Sequence, residues 1–186
     1  MRYLISLLLT VLMLSGCDSQ NEAMERAIRL RDKLHNANSC TFTAMITAEY
    51  ETDVYEFSLE CEADNEGNLL FSVISPQTID GITGSVDHEG GKLTFDDAVL
   101  AFPVLADGQA TPVSAPWILY NALCSGYLKG SGFTEEGLIL SLNDSFDDHA
   151  LQLTVYTDKE DLPVSAEIYW EGHRILSVIV ENFCIL

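Results

Sequence analysis

Apolar and polar residues alternate with a period of two over most of the chain after residue 39. The alternation is longest in residues 40–50 and 54–61, where one side of each segment is apolar and the other carries Thr, Ser and Glu. Such a pattern predicts half-buried antiparallel strands. Further segments with strand character are 69–75, 82–88, 92–95, 99–102, 138–142, 151–155, 164–170 and 175–183.

Two segments break this alternation and predict helices. Residues 21–36 place apolar side chains on one stripe at helical spacing. Residues 114–127 have Pro116 in a first helical turn, and Gly-Ser-Gly at 130–132 is the expected end signal. The stripe of the first helix is predicted to consist of Met24, Ala27, Ile28 and Leu34.

The strands follow each other in meander order, with one helix in front and one in the middle. A single sheet of about nine or ten strands must curl, and helices that cover one face complete a core. The 186 residues suffice for one such domain and fall short of two. We therefore predict an α+β fold, a strongly curved antiparallel sheet whose N-terminal and mid-chain helices cover the concave face.

The first hairpin carries a prediction of register. When paired residue numbers sum to 101, the apolar residues of the two strands oppose each other on one face, and Cys40 falls opposite Cys61. A slip of one residue would move the apolar set to the other face, and thiols on directly opposed residues are within bonding reach. This register predicts a Cys40–Cys61 disulfide and a turn at residues 51 and 52.

The N-terminus predicts export and lipid attachment. Arg2 precedes an uncharged run at residues 3–14, which is shorter than the ~20 residues of a spanning helix and is typical of a signal-peptide core. Leu-Ser-Gly-Cys at 14–17 then resembles the lipobox of bacterial lipoproteins, which implies cleavage before Cys17 and acylation of its thiol. The acyl chains would hold the protein on the outer face of the bacterial cytoplasmic membrane.

These features divide the chain into a signal peptide (1–16), a lipidated cysteine with a short tether (17–20) and a single domain (21–186). Export predicts an oxidising compartment for the other cysteines. Two interpretations stay open for Cys124 and Cys184. They form a disulfide that ties the second helix to the last strand, or they are free thiols.

The charge is strongly acidic and unevenly placed. Nine Lys and Arg stand against 29 Asp and Glu, a net charge of −20, which argues against nucleic acid as a partner because phosphate binding needs clustered bases. Residues 18–33 are neutral, whereas residues 34–186 carry −21. The bases of the first helix either contact anionic lipid headgroups or pair with acids along the helix, as Glu25 and Arg29 would. The spacing favours the pairs.

The sequence carries no catalytic or metal-binding signature. The four histidines have no ligand spacing with one another or with cysteine, and nucleophile-elbow, zinc-protease and phosphate-loop motifs are absent. Residues 143–148 look like a calcium loop but lack its glycine at the sixth position, which favours a solvated turn. We expect no enzymatic activity, no metal and no cofactor.

Three features of the element order carry a family resemblance. An N-terminal helix feeds a long hairpin, a strand–Pro–strand–turn passage occupies residues 71–95, and the mid-chain helix is followed by a second meander. This order resembles the LolA/LolB-like lipoprotein-carrier superfamily, which includes LppX-type lipoproteins. The resemblance implies a half-open β-barrel with helices as a lid over an apolar cavity. That cavity would be lined by Phe42, Ala44, Ile46, Phe57, Leu59, Trp117 and Tyr120.

The resemblance implies one function, and the residues leave a second one open. In the first, the chain is a lipid-anchored extracytoplasmic binding protein that holds an acyl chain or a lipidated ligand in the cavity. In the second, the same apolar residues form a filled core, and the acidic surface docks a basic protein of the cell envelope. A continuous apolar cavity above about 300 Å³ between helices and sheet separates the two.

Overall fold

The computed structural model describes residues 16–50, 53–96, 98–106, 109–147 and 149–186. The predicted signal peptide lies outside them up to residue 15. The helices are α1 (Gly16–Asn36) and α2 (Ala115–Ser125). The strands are β1 (Ser39–Tyr50), β2 (Asp53–Asp64), β3 (Leu69–Ser75), β4 (Thr83–Asp87), β5 (Gly90–Phe95), β6 (Ala98–Phe102), β7 (Leu105–Ala106), β8 (Gln109–Ala110), β9 (Tyr127–Phe133), β10 (Leu138–Asn143), β11 (Gln152–Thr157), β12 (Pro163–Trp170) and β13 (His173–Ile185).

The described residues form one antiparallel sheet of eleven strands in the order β6-β5-β4-β3-β2-β1-β13-β12-β11-β10-β9, and a separate β7–β8 hairpin. The chain steps outward from β1 to β6 at one edge, crosses through α2 to β9 at the other edge, and returns to β13 beside β1. The predicted α+β class and the curved antiparallel meander are confirmed. The two helices pack on one face of this sheet, with which they share a single core.

The eleventh strand is β9, which the sequence had assigned to the end of a helix. Gly130 and Gly132 lie inside β9 instead of terminating α2. The helix ends earlier, at Gly126, whose N–H donates to the Ala122 carbonyl at 3.0 Å. At the other helix the boundary also differs, because α1 begins at Gly16 and includes the predicted tether residues 17–20.

The register of the first hairpin differs from the prediction by two residues. Paired numbers sum to 103, so that Phe42 lies opposite Cys61 and Cys40 lies opposite Ala63. The apolar face is still correct, because a shift of two preserves the alternation. A sum of 103 leaves residues 51 and 52 as the connection between Tyr50 and Asp53, whereas a sum of 101 would pair residue 50 with residue 51. The predicted turn at residues 51 and 52, which lie outside the described residues, and the predicted register were therefore mutually inconsistent.

The positions of the cysteines follow from this register and from the order of the strands. Cys40, Cys61, Cys124 and Cys184 are free thiols, and the Cys40–Cys61 disulfide prediction was wrong together with its register. Cys184 is exposed and pairs in register with Thr41 on the face away from the helices. Cys124 belongs to α2 on the opposite face. Because the sheet lies between them, Cys124 and Cys184 are free thiols instead of a bonded pair.

Helix α1 packs on β9 and β10 through a stripe that differs from the predicted one. Ala27 and Leu34 belong to it as expected, but Leu30 is buried and Ile28 is 48% exposed. The stripe is completed by Ala23, so the buried positions are spaced by four, three and four residues, as one face of a helix requires. Within the described residues, no helix has the length and apolarity needed to cross a bilayer.

Three basic side chains of α1 are engaged within the protein. Arg26 Nε donates to both carboxylate oxygens of Asp161, at 2.9 and 3.1 Å. Arg31 donates to the Ala122 carbonyl at 3.3 Å, near the C-terminus of α2, where a cation is favourable. Arg29 and Glu25 approach to 3.8 Å at i,i+4. These contacts support intramolecular pairing, as the spacing had favoured, over headgroup contact for this helix.

Candidate functional site

Helix α2 is fixed over the sheet by two hydrogen bonds to the β2–β3 turn. Trp117 Nε1 donates to the Gly67 carbonyl at 2.9 Å, and the Tyr120 hydroxyl donates to the Asp64 carbonyl at 3.1 Å. The turn itself is held by the Asp64 side chain. Burial would raise the pKa of this carboxyl, but hydrogen bonds from Asn68 and the N–H of Glu66 outweigh burial and hold the pKa below its usual value.

All but one of the side chains predicted to line a cavity are part of the core. The same core contains fully buried leucines of both helices, among them Leu30 and Leu119. The ring of Phe42 stacks on Phe183, with centroids 5.3 Å apart. Phe57 is half-buried. The buried members of the predicted set are Phe42, Ala44, Ile46, Leu59, Trp117 and Tyr120.

The cavity that lies under α2 is small. It has a volume of about 140 Å³ and is lined by Tyr120 and Cys124 of α2, by Leu34 of α1 and by the β2–β3 turn. This is below the roughly 300 Å³ at which ligand pockets begin. Elsewhere between helices and sheet, buried side chains of both helices and of the sheet belong to one core.

A larger groove lies on the opposite face of the sheet. We call it the sheet-face groove. Its volume is about 820 Å³, and its lining residues come from seven strands, β13 and β1 to β6. Most of its lining residues occupy the alternate positions that point away from the helices. The lining residues are Thr41, Phe42, Thr43, Glu60, Cys61, Glu62, Leu70, Phe71, Ser72, Thr83, Gly84, Ser85, Lys92, Thr94, Val99 and Asn182.

The chemistry of the sheet-face groove is mixed. Leu70 and Val99 expose 57% and 64% of their surface in it, and threonine and serine hydroxyls surround them. Glu60 and Glu62 add two exposed carboxylates from β2, against Lys92 as the one base among the lining residues. Such a surface can bury an apolar segment and attract a cationic one.

The cysteines near the core are poor nucleophiles. Burial raises the pKa of Cys40 to about 11, and burial also raises the pKa of Cys124. Both thiols therefore stay protonated at neutral pH. Among the described side chains, no group of three or more His, Cys, Asp or Glu residues is arranged to hold a metal ion.

Sequence reasoning missed the sheet-face groove because its residues occupy the polar side of each strand, which was taken as the solvated face. A signal was available in Leu70, which is apolar but shares its side of β3 with Ser72, and in β6, whose residues are apolar on both sides. What the sequence pattern does not encode is how positions on seven strands come together in one groove.

Comparison with solved structures finds several proteins of similar fold. They include a LolA superfamily protein from Nitrosomonas europaea, with 9% identity, coverage of 86% of this chain and 93% of that chain, and a TM-score of 0.46. A putative outer membrane lipoprotein-sorting protein domain from Vibrio parahaemolyticus has 11% identity, 89% and 92% coverage, and a TM-score of 0.47. Mycobacterium tuberculosis lipoprotein LppX has 11% identity, 84% and 92% coverage, and a TM-score of 0.39.

The superfamily whose element order the sequence resembles is thus among the proteins of similar structure. No protein-family model matches the chain, and no curated protein matches it. At these identities and TM-scores the likenesses carry no inference about function, which rests on the groove and the core described above.

Proposed function

We propose that the chain is a non-enzymatic, lipid-anchored binding protein on the outer face of the cytoplasmic membrane, which docks a basic protein partner on its acidic sheet face. One observation carries the proposal. Buried side chains of both helices and of the sheet form one core, whereas a groove of about 820 Å³ with two exposed carboxylates lies on the other face. A carrier with an acyl chain under its lid would need the reverse arrangement.

The position of the anchor is compatible with this role. Helix α1 is held at Arg26 against the β11–β12 turn and packs on β9 and β10. Cys17 lies nine residues before Arg26, about 13 Å along the helix axis. An acyl anchor on Cys17 would then extend from the helix that packs on β9 and β10, whereas the sheet-face groove belongs to the strands of the other half of the sheet.

An acyl chain in the sheet-face groove is a second candidate. The observation that favours it is the exposed apolar surface of Leu70 and Val99 in the groove. Native mass spectrometry of the full chain, released from detergent micelles, separates the two candidates. We expect an apo mass that differs from the sequence mass only by the signal peptide and the Cys17 acyl groups. A co-purified lipid that survives release would support the second candidate and contradict protein docking as the main role.

The docking role is tested with a matched pair of charge variants. The full chain in lipid nanodiscs is titrated with a fluorescent peptide of alternating Lys and Val. We expect Glu60→Gln/Glu62→Gln to weaken binding by about tenfold, because two carboxylates of the groove are lost. Glu135→Gln/Glu136→Gln removes the same charge at exposed positions outside the groove and is expected to change binding less than twofold. Equal effects of the two variants would overturn docking in the groove.

The anchor has its own test. Intact mass of the membrane-extracted chain is expected to equal that of residues 17–186 plus a diacylglyceryl group. Cys17→Ser is expected to leave the protein unprocessed and without the added mass. An unmodified mass for the wild-type chain would contradict the lipid anchor without bearing on the groove.

A further inference from the structure

The edge strand β6 borders the sheet-face groove, and no described strand lies on its outer side. It pairs with β5 alone among the described strands and ends the eleven-stranded sheet. Val99 lines the groove, and Leu100 points to the other face of the sheet; each is 64% exposed. In an antiparallel edge strand, every second residue directs its N–H and C=O away from the sheet. β6 therefore presents unpaired backbone groups between exposed apolar side chains.

This edge has few of the features that natural edge strands use against strand addition. Ala98–Phe102 contains no charged residue and no proline, although both are common protections. The other edge of the sheet is different, because α1 packs along β9 and the Arg26 guanidinium lies 5.4 Å from the centre of the Phe133 ring. One edge is thus covered, and the other is short but open.

Carboxylates flank both ends of this open edge. Asp96 is exposed just before β6. At the other end Gly91 pairs with Phe102, so the β4–β5 turn brings the exposed Glu89 and the half-buried Asp87 beside the end of β6. A depression of about 410 Å³ there is lined by Asp87, Glu89 and Phe102. A segment that fits this edge has apolar residues in the middle and a cation at each end.

We propose that the partner binds as an extended segment that adds a β-strand to β6, with alternate apolar side chains beside Val99 and Leu100 and with Lys or Arg at both ends. This inference rests on the proposed function and names the partner's chemistry. Backbone hydrogen bonds would supply affinity, and the alternate side chains would supply selectivity.

A second copy of the chain fits this edge poorly. In an antiparallel β6–β6 pair centred on Leu100, Asp96 of each copy would face the β4–β5 turn of the other, which carries Glu89 and Asp87. Two chains of net charge −20 would also repel each other at long range. Charge complementarity therefore selects a basic segment as the occupant.

The test is a selection followed by a backbone-specific control. Random short peptides displayed on phage are selected against the full chain in nanodiscs, with empty nanodiscs as the counter-selection. We expect enriched peptides to alternate apolar and other residues between terminal Lys or Arg. A set of synthetic peptides then carries one N-methyl group each, at successive residues. We expect binding to be lost at every second residue only, because alternate residues of an added strand direct their N–H toward β6.

Two matched variants locate the binding edge. Val99→Lys is expected to weaken the binding of the selected peptides by at least about tenfold, since it places a charge on the edge strand. Val54→Lys, at a valine of 63% exposure on β2, is expected to leave binding within twofold and reports on any general effect of the added charge. Circular dichroism checks that both variants are folded.

The outcomes separate this inference from the proposed function. Peptides that lose affinity in Glu60→Gln/Glu62→Gln but bind Val99→Lys normally, or that tolerate every N-methyl group, overturn strand addition and leave groove docking in place. A selection that yields no peptide above the empty-nanodisc background overturns both. Self-association of the chain at micromolar concentration that Val99→Lys abolishes would replace the basic segment by a second copy.

Discussion

Burial controls the ionisation of single side chains in this protein, and Cys40 shows it most directly. Its thiol is fully buried, and burial raises its pKa from 9.0 to about 11. In the unfolded chain the thiol ionises first, so its contribution to stability is complete below pH 9 and is lost as the pH rises to about 11. Two pKa units correspond to about 2.7 kcal/mol.

We therefore expect the free energy of unfolding, measured by urea denaturation, to fall less with pH in Cys40→Ala than in the wild type. Between pH 8.5 and pH 11 the difference should be about 2 kcal/mol. The comparison uses the slope with pH, because the substitution also costs packing at every pH. Cys184→Ala, at an exposed thiol, serves as the control and should keep the wild-type slope. Identical slopes in all three proteins would contradict the raised pKa.

Asp161 allows a similar test of an ion pair. Its carboxylate accepts hydrogen bonds from both Nε and Nη2 of Arg26, and the side chains of Asp161 and Arg26 are only 15% and 22% exposed. Charge-assisted bidentate pairs of this kind stabilise more than exposed ones. Asp161→Asn retains the left-handed backbone, at φ 71°, which Asn tolerates. We expect a loss of about 1–2 kcal/mol in the free energy of unfolding.

The control for this pair is Glu25→Gln. Glu25 and Arg29 are 3.8 Å apart, and both side chains are mostly exposed, so the expected change is at most about 0.5 kcal/mol. Urea denaturation of both variants at one pH gives the comparison. A larger decrease in the free energy of unfolding for Glu25→Gln than for Asp161→Asn would show that burial and geometry do not determine which ion pair stabilises the protein more.

Among the elements, the first hairpin shows what alternation can and cannot predict. The period of two identified both strands and their apolar faces, because a one-residue error would have exposed Ile46 and Leu59. It could not separate registers that differ by two residues, because both keep the same faces. The turn decided between them, since a two-residue connection at 51 and 52 allows only the observed sum.

A pair of double-cysteine variants tests this register. Thr43 lies opposite Glu60, on the face away from the helices, so Thr43→Cys/Glu60→Cys should form a disulfide under mild oxidation. Thr43→Cys/Ser58→Cys would be directly opposed only if the numbers summed to 101, and we expect mostly free thiols there. Peptide mapping without reduction identifies the bonds. A preference for the second pair would restore the register predicted from the sequence.

The helices and the groove show what else the sequence pattern alone cannot predict. The apolar stripe of α1 was predicted to include Ile28 and to exclude Leu30. Apolar residues occur on more than one side of this helix, and only its contacts with β9 determine which side is buried. The filled core between helices and sheet was one of two interpretations that the same residues allowed. The sheet-face groove depends on how seven strands lie side by side in the assembled sheet, which alternation within single strands does not record.

For the whole molecule, charge is the property that links stability to binding. Residues 34–186 carry −21, while few close ion pairs are formed by the described side chains. Repulsion among the unpaired carboxylates is therefore expected to exceed attraction within the pairs. Raising the salt concentration from about 0.01 M to about 0.15 M shortens the Debye length from about 30 Å to about 8 Å.

We therefore expect this change in salt to have opposite effects on stability and on docking. The unfolding midpoint in urea should increase, because screening relieves repulsion in the compact state. Binding of the Lys–Val peptide should weaken by about tenfold or more, because the same screening removes attraction to the groove. Sodium chloride series of urea denaturation and fluorescence anisotropy on the same preparation measure both. A midpoint that falls with salt would mean that the ion pairs outweigh the repulsion, and salt-independent binding would mean that the peptide is held without the carboxylates.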